Sequence, residues 1–265
     1  MGGLADGASD GGDSDGGDSD GGASDGGASA LSRGEVDRPR AQVATGAAVP
    51  LEGAPYLGVV FAGGESRRMG QDKALLPWPS SAGGVTLMER AARALEALGC
   101  AVEVARGSRG AGEDIGRPVI HDVVEGAGPL AGLVASLERA EELGLAGVVA
   151  LACDMPLVQA DELRPLLRAV DGDSSEACRA AMWVVDHREQ PLCAVYSLAC
   201  LPAARAAFGA GKRRLVAIFD PDATGGHAPA LKRLQPDQKT SIRLVNLNTM
   251  TDYDLAAKGH LSGGE

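Results

Sequence analysis

The stretch Leu57-Gly58-Val59-Val60-Phe61-Ala62-Gly63-Gly64-Glu65-Ser66-Arg67-Arg68-Met69-Gly70-Gln71-Asp72-Lys73 decides the fold. Its first part is a short apolar run ended by glycines, the pattern of a parallel strand buried on both faces. Its second part is a polar, glycine-rich loop. Paired glycines let backbone N–H groups approach a phosphate or a base closely, and Arg67, Arg68 and Lys73 can neutralise a polyphosphate. This is not a Walker A loop, because five residues separate Gly64 from Gly70 and no lysine follows directly. It is not G-x-G-x-x-G either. Three cations within seven residues of an otherwise slightly acidic domain imply an anion; a surface turn with solvated charges is the competing reading.

Downstream the pattern alternates. A helix is expected over Leu87–Leu98, with Thr86-x-x-Glu89 as its capping box and Gly99 as its stop. Ala101–Ala105 and Pro118–Ile120 read as strands. Pro129 opens a helix carrying Leu130, Leu133 and Leu137 that ends near Gly144. Val148–Ala152 is another buried strand, followed by a helix over Asp161–Val170. Met182–Val185 and Leu192–Tyr196 read as strands, Leu198–Phe208 as a helix, Arg243–Asn246 as a last strand and Asp252–Lys258 as a terminal helix. Such alternation predicts a layered α/β fold with a mostly parallel sheet, whose ligands lie at the carboxyl ends of the strands.

The 265 residues carry a net charge of −11, and residues 1–30 supply seven aspartates with no lysine or arginine. This Gly/Asp/Ser repeat has little to bury and much backbone entropy to lose, so it is expected to be a disordered acidic tail, with residues 31–54 a linker and 55–265 the folded domain. Its Asp-x-Asp spacing suggests a calcium loop, but the closing glutamate and flanking helices are missing. A solubility extension is the better reading of such a repeat, and recruitment of a partner the alternative. Low aromatic content (3%) and net acidity argue against nucleic-acid binding. No run reaches membrane-spanning length, and the amino-terminal residues lack the basic and apolar regions of a signal peptide. Five scattered cysteines without a C-x-x-C pair fit a reducing, cytoplasmic setting better than a disulfide framework or zinc site.

The glycine loop resembles the L-A-G-G-x-S-x-R-M-G-x-D-K signature of nucleotidyltransferases that build sugar nucleotides and modified cofactors, and within them the molybdenum cofactor guanylyltransferases. Further matches keep the family's order: His121-Asp122; Glu125-Gly126-Ala127-Gly128-Pro129-Leu130-Ala131-Gly132; Ala152-Cys153-Asp154-Met155-Pro156; Gln190-Pro191-Leu192-Cys193-Ala194-Val195-Tyr196; and Asn246-Leu247-Asn248-Thr249. Lys212-Arg213-Arg214 falls where the family has a basic stretch. The resemblance covers about residues 56–258. Two departures stand out. Phe61 replaces the usual leucine, and Val104-Ala105-Arg106-Gly107 lacks the asparagine with which some members contact the nucleotide after the second strand.

The resemblance implies a Rossmann-like three-layer sandwich of nucleotidyltransferase type. It implies transfer of GMP from GTP to the phosphate of molybdopterin, with pyrophosphate released, Mg²⁺ as cofactor, and a molybdoenzyme or chaperone receiving the product. Carried onto this chain, Phe61, Ala62, Gly63, Gly64, Lys73, Asp122 and Asp154 are nucleotide-binding, and Lys73, Arg68 and Asp154 are catalytic. Asp154 holds the metal; a cap for the helix after its strand is the plainer alternative. Asn246 and Asn248 are pterin-binding, or else merely cap the last helix. The N–H groups opening the helix at Gly128–Gly132 form an anion or base site, against ordinary helix initiation. Cys153 and Cys193 read as core packing and not as nucleophiles. Ala62-Gly63-Gly64 and the G-P-L-A-G element favour guanylyl over cytidylyl transfer. A sugar-nucleotide enzyme and a non-catalytic nucleotide-binding protein are the remaining alternatives.

Overall fold

The computed structural model describes residues 55–63, 72–78, 84–106, 116–121, 127–172 and 178–257. The acidic tail and the linker lie outside these residues.

Strand β1 (Tyr56–Phe61) is buried at every position. Such a strand needs cover on both faces, and the residues alternate to provide it. Leu57, Val59 and Phe61 join one core, while Tyr56 and Val60 join the other. Gly58 is a close-approach position, since a Cβ there would meet Leu95 Cβ at 3.0 Å and Cys100 Cβ at 3.1 Å.

The chain next forms a small antiparallel hairpin of β2 (Pro77–Trp78) and β3 (Val85–Thr86), then helix α1 (Leu87–Glu96). Thr86 Oγ1 accepts from the Glu89 N–H at 3.1 Å, and Gly99 at φ 86° lets the chain leave the helix. Strands β4 (Ala101–Ala105) and β5 (Val119–Ile120) come after it, then α2 (Pro129–Glu142), β6 (Gly147–Ala152) and α3 (Ala160–Asp171). Next come β7 (Ala180–Val185), β8 (Arg188–Ser197), α4 (Leu201–Gly209), β9 (Leu231–Leu234), α5 (Gln238–Arg243) and α6 (Met250–Ala257).

The main sheet has seven strands in the order β5-β4-β1-β6-β8-β7-β9, and only β8 runs against its neighbours. Helices α1 and α3 cover one face through Met88, Ala91, Leu95, Leu163 and Leu166. Helices α2 and α4 cover the other through Leu130, Leu133, Leu137, Leu201 and Ala204. The expected three-layer α/β sandwich with a mostly parallel sheet is what the chain forms. Each fully buried leucine contributes about 1.5–3 kcal/mol to it. From β1 the chain steps outward to β4 and β5, then returns to place β6 on the other side of β1. That reversal opens a crevice at the carboxyl ends of β1 and β6, where open α/β sheets take their ligands.

The carboxyl-terminal part differs from expectation. Arg243–Asn246 is not a strand. Asp237 caps a helix by accepting from the Thr240 N–H at 2.7 Å, and that helix runs through Arg243. There Arg243 pairs with the buried Glu162 carboxylate at 3.2 Å. The last strand is β9, parallel to β7 at the sheet edge, with Lys232 and Arg233 exposed. The helix expected over Leu198–Phe208 divides into a 3-10 turn (Leu198–Cys200) and α4, with Pro202 in the first turn of α4.

Candidate active site

The crevice is built from strand ends. The Ala62 N–H donates to Ala105 O at 3.0 Å and the Cys153 N–H to Phe61 O at 3.1 Å, so the chain leaves β1, β4 and β6 at one level. Ala62 is half-buried and Gly63 exposed at the mouth of the glycine loop. Gly64, Arg68 and Asp122 lie outside the described residues.

Asp72 caps a 3-10 turn (Lys73–Leu75), its Oδ1 accepting from the Ala74 N–H at 3.1 Å. That turn presents Lys73 to the end of β6. Lys73 Nζ donates to Asp154 Oδ2 at 3.0 Å, across 81 residues of sequence. The other carboxylate oxygen, Asp154 Oδ1, is buried with no hydrogen-bond partner among the described residues. A buried carboxylate oxygen left unpaired costs about 1–3 kcal/mol or more, so it calls for a cation or donor. Asp154 is not a helix cap. Helix α3 is capped by Gln159, whose N–H donates to Glu162 Oε2 at 2.9 Å.

The Leu247 N–H donates to Asp154 O at 2.8 Å, which sets the Asn246–Asn248 segment directly against Asp154. Neither asparagine side chain caps α6. Thr249 Oγ1 accepts from the Asp252 N–H at 3.1 Å, and Asp252 Oδ2 accepts from the N–H groups of Asn248 and Thr249 at 2.9 and 2.8 Å. Asn246 Nδ2 instead donates to Gln190 Oε1 at 3.2 Å, forming a half-buried pair of amides on the same side of the crevice, with Asn248 exposed beyond it. The glutamine was visible in the sequence only as one letter of a motif; its partnership with Asn246 comes from β8 and the loop before α6 meeting in space.

The amino terminus of α2 does not make the expected open anion site. Pro129 has no N–H, the Leu130 N–H donates to Arg213 O at 3.2 Å, and the Ala131 N–H donates to Gly128 O at 3.1 Å. Gly128, at φ 82°, is needed for that contact, since a Cβ there would meet both Arg213 Cβ and Arg213 O at 3.2 Å. Lys212, Arg213 and Arg214 are exposed beside it. The cysteines are core. Burial pushes the Cys153 thiol up to about 12 and raises Cys193 further, so neither is a thiolate at neutral pH.

One residue of the crevice escaped the sequence reading. Arg106, directly after β4, is an almost fully buried guanidinium whose Nη2 donates to Asp72 Oδ2. Only its place directly after a buried strand marks it in the sequence.

A mostly parallel sheet with a lysine–aspartate pair at the β1–β6 reversal has the architecture of an α/β nucleotide-binding enzyme. Comparison with known proteins narrows this. Residues 58–227 match the model of the MobA-like NTP transferase domain, and the chain belongs to that family of nucleotidyltransferases. A protein of Pelotomaculum thermopropionicum named "probable molybdenum cofactor guanylyltransferase" is 33% identical over 162 residues, 61% of this chain and 73% of its own length. One of the same name from Opitutus terrae is 37% identical over 163 residues, 60% of this chain and 74% of its own length. Among solved structures, molybdopterin-guanine dinucleotide biosynthesis protein A from Archaeoglobus fulgidus superposes with a TM-score of 0.59 at 22% identity. It covers 76% of this chain and 96% of its own, a likeness of fold.

Proposed function

We propose that this enzyme transfers GMP from GTP to the terminal phosphate of a molybdopterin, releasing pyrophosphate and forming the guanine dinucleotide form of the cofactor. The observation that carries the reading is the Lys73–Asp154 pair at the β1–β6 crevice, with Asp154 Oδ1 buried and unpartnered among the described residues. The family and the relatives' names support the choice of substrates.

Lys73 binds the triphosphate as a point charge, and the glycine loop that begins at Gly63 supplies backbone donors. Arg68 is proposed to hold the departing pyrophosphate, and Asp122 to contact the nucleotide. Asn246, Gln190 and Asn248 present amides to the pterin, held against Asp154 by the Leu247 hydrogen bond. The acceptor phosphate is ionised at neutral pH, so the step needs no general base. Alignment and charge neutralisation carry it.

Asp154 would hold a divalent cation, proposed as Mg²⁺. Its orphaned carboxylate oxygen fits that ion, which is commonly bound by one or two carboxylates plus substrate phosphates. When bound, it supplies Lewis-acid neutralisation of charge on the phosphates. No helix among the described residues is long and apolar enough to cross a membrane. All five cysteines are free, which supports a cytoplasmic setting, with a molybdoenzyme or chaperone taking the product.

The deciding experiment is pyrophosphate release with GTP, CTP or ATP, with and without molybdopterin. Release only with GTP and the pterin is expected. A CTP preference would overturn the guanylyl assignment, and nucleotide binding without release would leave a binding protein.

A further inference from the structure

Four alternating charges run along the edge of the crevice. Arg106 pairs with Asp72, the next residue is Lys73, and Lys73 pairs with Asp154. The consecutive residues Asp72 and Lys73 thus reach opposite ways along the sheet edge, Asp72 to the end of β4 and Lys73 to the end of β6. Arg106 is withdrawn from water and the other three side chains are partly so, with relative exposures of 6% for Arg106, 32% for Asp72, 15% for Lys73 and 25% for Asp154. At such partial burial the partition of cations between carboxylates is screened less than on an open surface.

We propose that Arg106 is a positioning residue: by neutralising Asp72 it keeps the adjacent Lys73 ammonium with Asp154 and available to the triphosphate. This rests on the reading of Lys73 as a phosphate-binding residue. Two observations carry it. Without Arg106, Asp72 would be a partly buried carboxylate with no paired cation among the described residues, and Lys73 is the ammonium next to it in the chain. Lys73 would then be shared between two carboxylates, with less of its charge left for a phosphate. Second, the Arg106 Nη1 group is buried and unpartnered among the described residues. The unmet donor carries a desolvation cost, which the pairing of Arg106 with Asp72 offsets. The backbone agrees: Ala105 O receives the Ala62 N–H where the glycine loop begins, and Arg106 holds Asp72 where it ends.

The test measures binding of inorganic triphosphate and of GTP, each with Mg²⁺, to the full chain by calorimetry. Arg106→Met should weaken both ligands by the same factor, on the order of 10-fold. Arg106→Lys, which keeps the charge on Asp72, should stay within about threefold of the parent. Asp72→Asn retains a good capping residue for the Lys73 turn, and combined with Arg106→Met it should restore binding, because the competing carboxylate is gone. Restoration by the second substitution is an outcome that loss of a structural prop cannot give. The double variant carries no unpaired carboxylate, so it keeps the comparison open if Arg106→Met alone does not fold; it should then bind as Asp72→Asn does.

A double variant as weak as Arg106→Met, or weaker than Asp72→Asn, overturns the proposal. So does a loss confined to GTP with triphosphate unaffected, which would make Arg106 a direct contact to the nucleoside. Unchanged binding by Arg106→Met sinks this proposal alone. A parent chain that binds neither ligand sinks the phosphate-binding reading of Lys73 and this proposal with it.

Discussion

Asp154→Asn separates chemistry from stability. The substitution keeps shape and the backbone carbonyl that accepts from Leu247, and removes one charge from the 3.0 Å pair with Lys73. That pair is partly open to water, with side-chain exposures of 15% and 25%, so its loss should cost only about 1 kcal/mol. For a domain of this size that lowers Tm by roughly 2–4 °C. The catalytic effect should be much larger. Removing a preorganised charge that neutralises the reacting phosphates costs about 100- to 1,000-fold in kcat. Ligand linkage gives an independent reading. Nucleotide at 100 times its Kd stabilises the parent by about 2.7 kcal/mol, so Mg²⁺ with GTP should raise Tm by roughly 5–10 °C. In the variant, Mg²⁺ should add nothing to the shift that GTP gives by itself. Pyrophosphate release and thermal melts with GTP, with and without Mg²⁺, measure all three quantities. Near-normal turnover with a retained Mg²⁺ increment would refute the metal assignment. A fall in activity no larger than the fall in folded fraction would refute the catalytic one.

Lys73→Ala should raise KM for GTP and slow turnover by about 10-fold or more, and steady-state kinetics with both constants unchanged would end its phosphate role. Asn246→Ala breaks the amide pair with Gln190 and should raise KM for molybdopterin severalfold while GTP affinity, read by calorimetry, holds. Cys153 is neutral below its raised pKa of about 12, so Cys153→Ala should keep kcat within about threefold, and the pH–rate profile should show no cysteine break between roughly pH 7 and 9. Gly147→Ala would drive a Cβ to 2.7 Å from Ser197 Cα, where β6 meets β8, and should destabilise by about 2–3 kcal/mol in urea melts.

How much of this was legible in the sequence depended on the kind of signal. β1 and β6 announce themselves because a strand buried on both faces must be apolar throughout, and Asp154 is then conspicuous as the first charge after such a strand. The edge strand β9 was missed for the converse reason. Leu231-Lys232-Arg233-Leu234 has its middle two residues in water, so nothing in its composition separates it from a loop. Arg243–Asn246 misled because Leu244 and Val245 look like a short strand, whereas Asp237 starts a helix upstream and the Arg243–Glu162 pair fixes its end. Arg106 illustrates a deeper limit. An arginine after a strand is ordinary, and only the tertiary pairing with Asp72, 34 residues away, gives it a role.

The reaction asks little of side-chain chemistry and much of placement, and this explains why so few residues stand out. With an ionised acceptor and a good leaving group, the protein must bring two anions together and neutralise them. The fold divides that task among strand ends. In the proposed reading the crevice between β1 and β6 takes the triphosphate through Lys73 and Asp154, and the acceptor meets Asn246 of the loop before α6 and Gln190 of β8. The backbone bond from Leu247 N–H to Asp154 O, at 2.8 Å, joins the two halves without spending a side chain. On that reading acceptor and phosphate positions would be coupled through one aspartate, its carboxylate serving the nucleotide and its carbonyl holding the loop before α6. A side-chain substitution at Asp154 should remove the first role and spare the second, so Asp154→Asn should still bind molybdopterin while failing to turn it over.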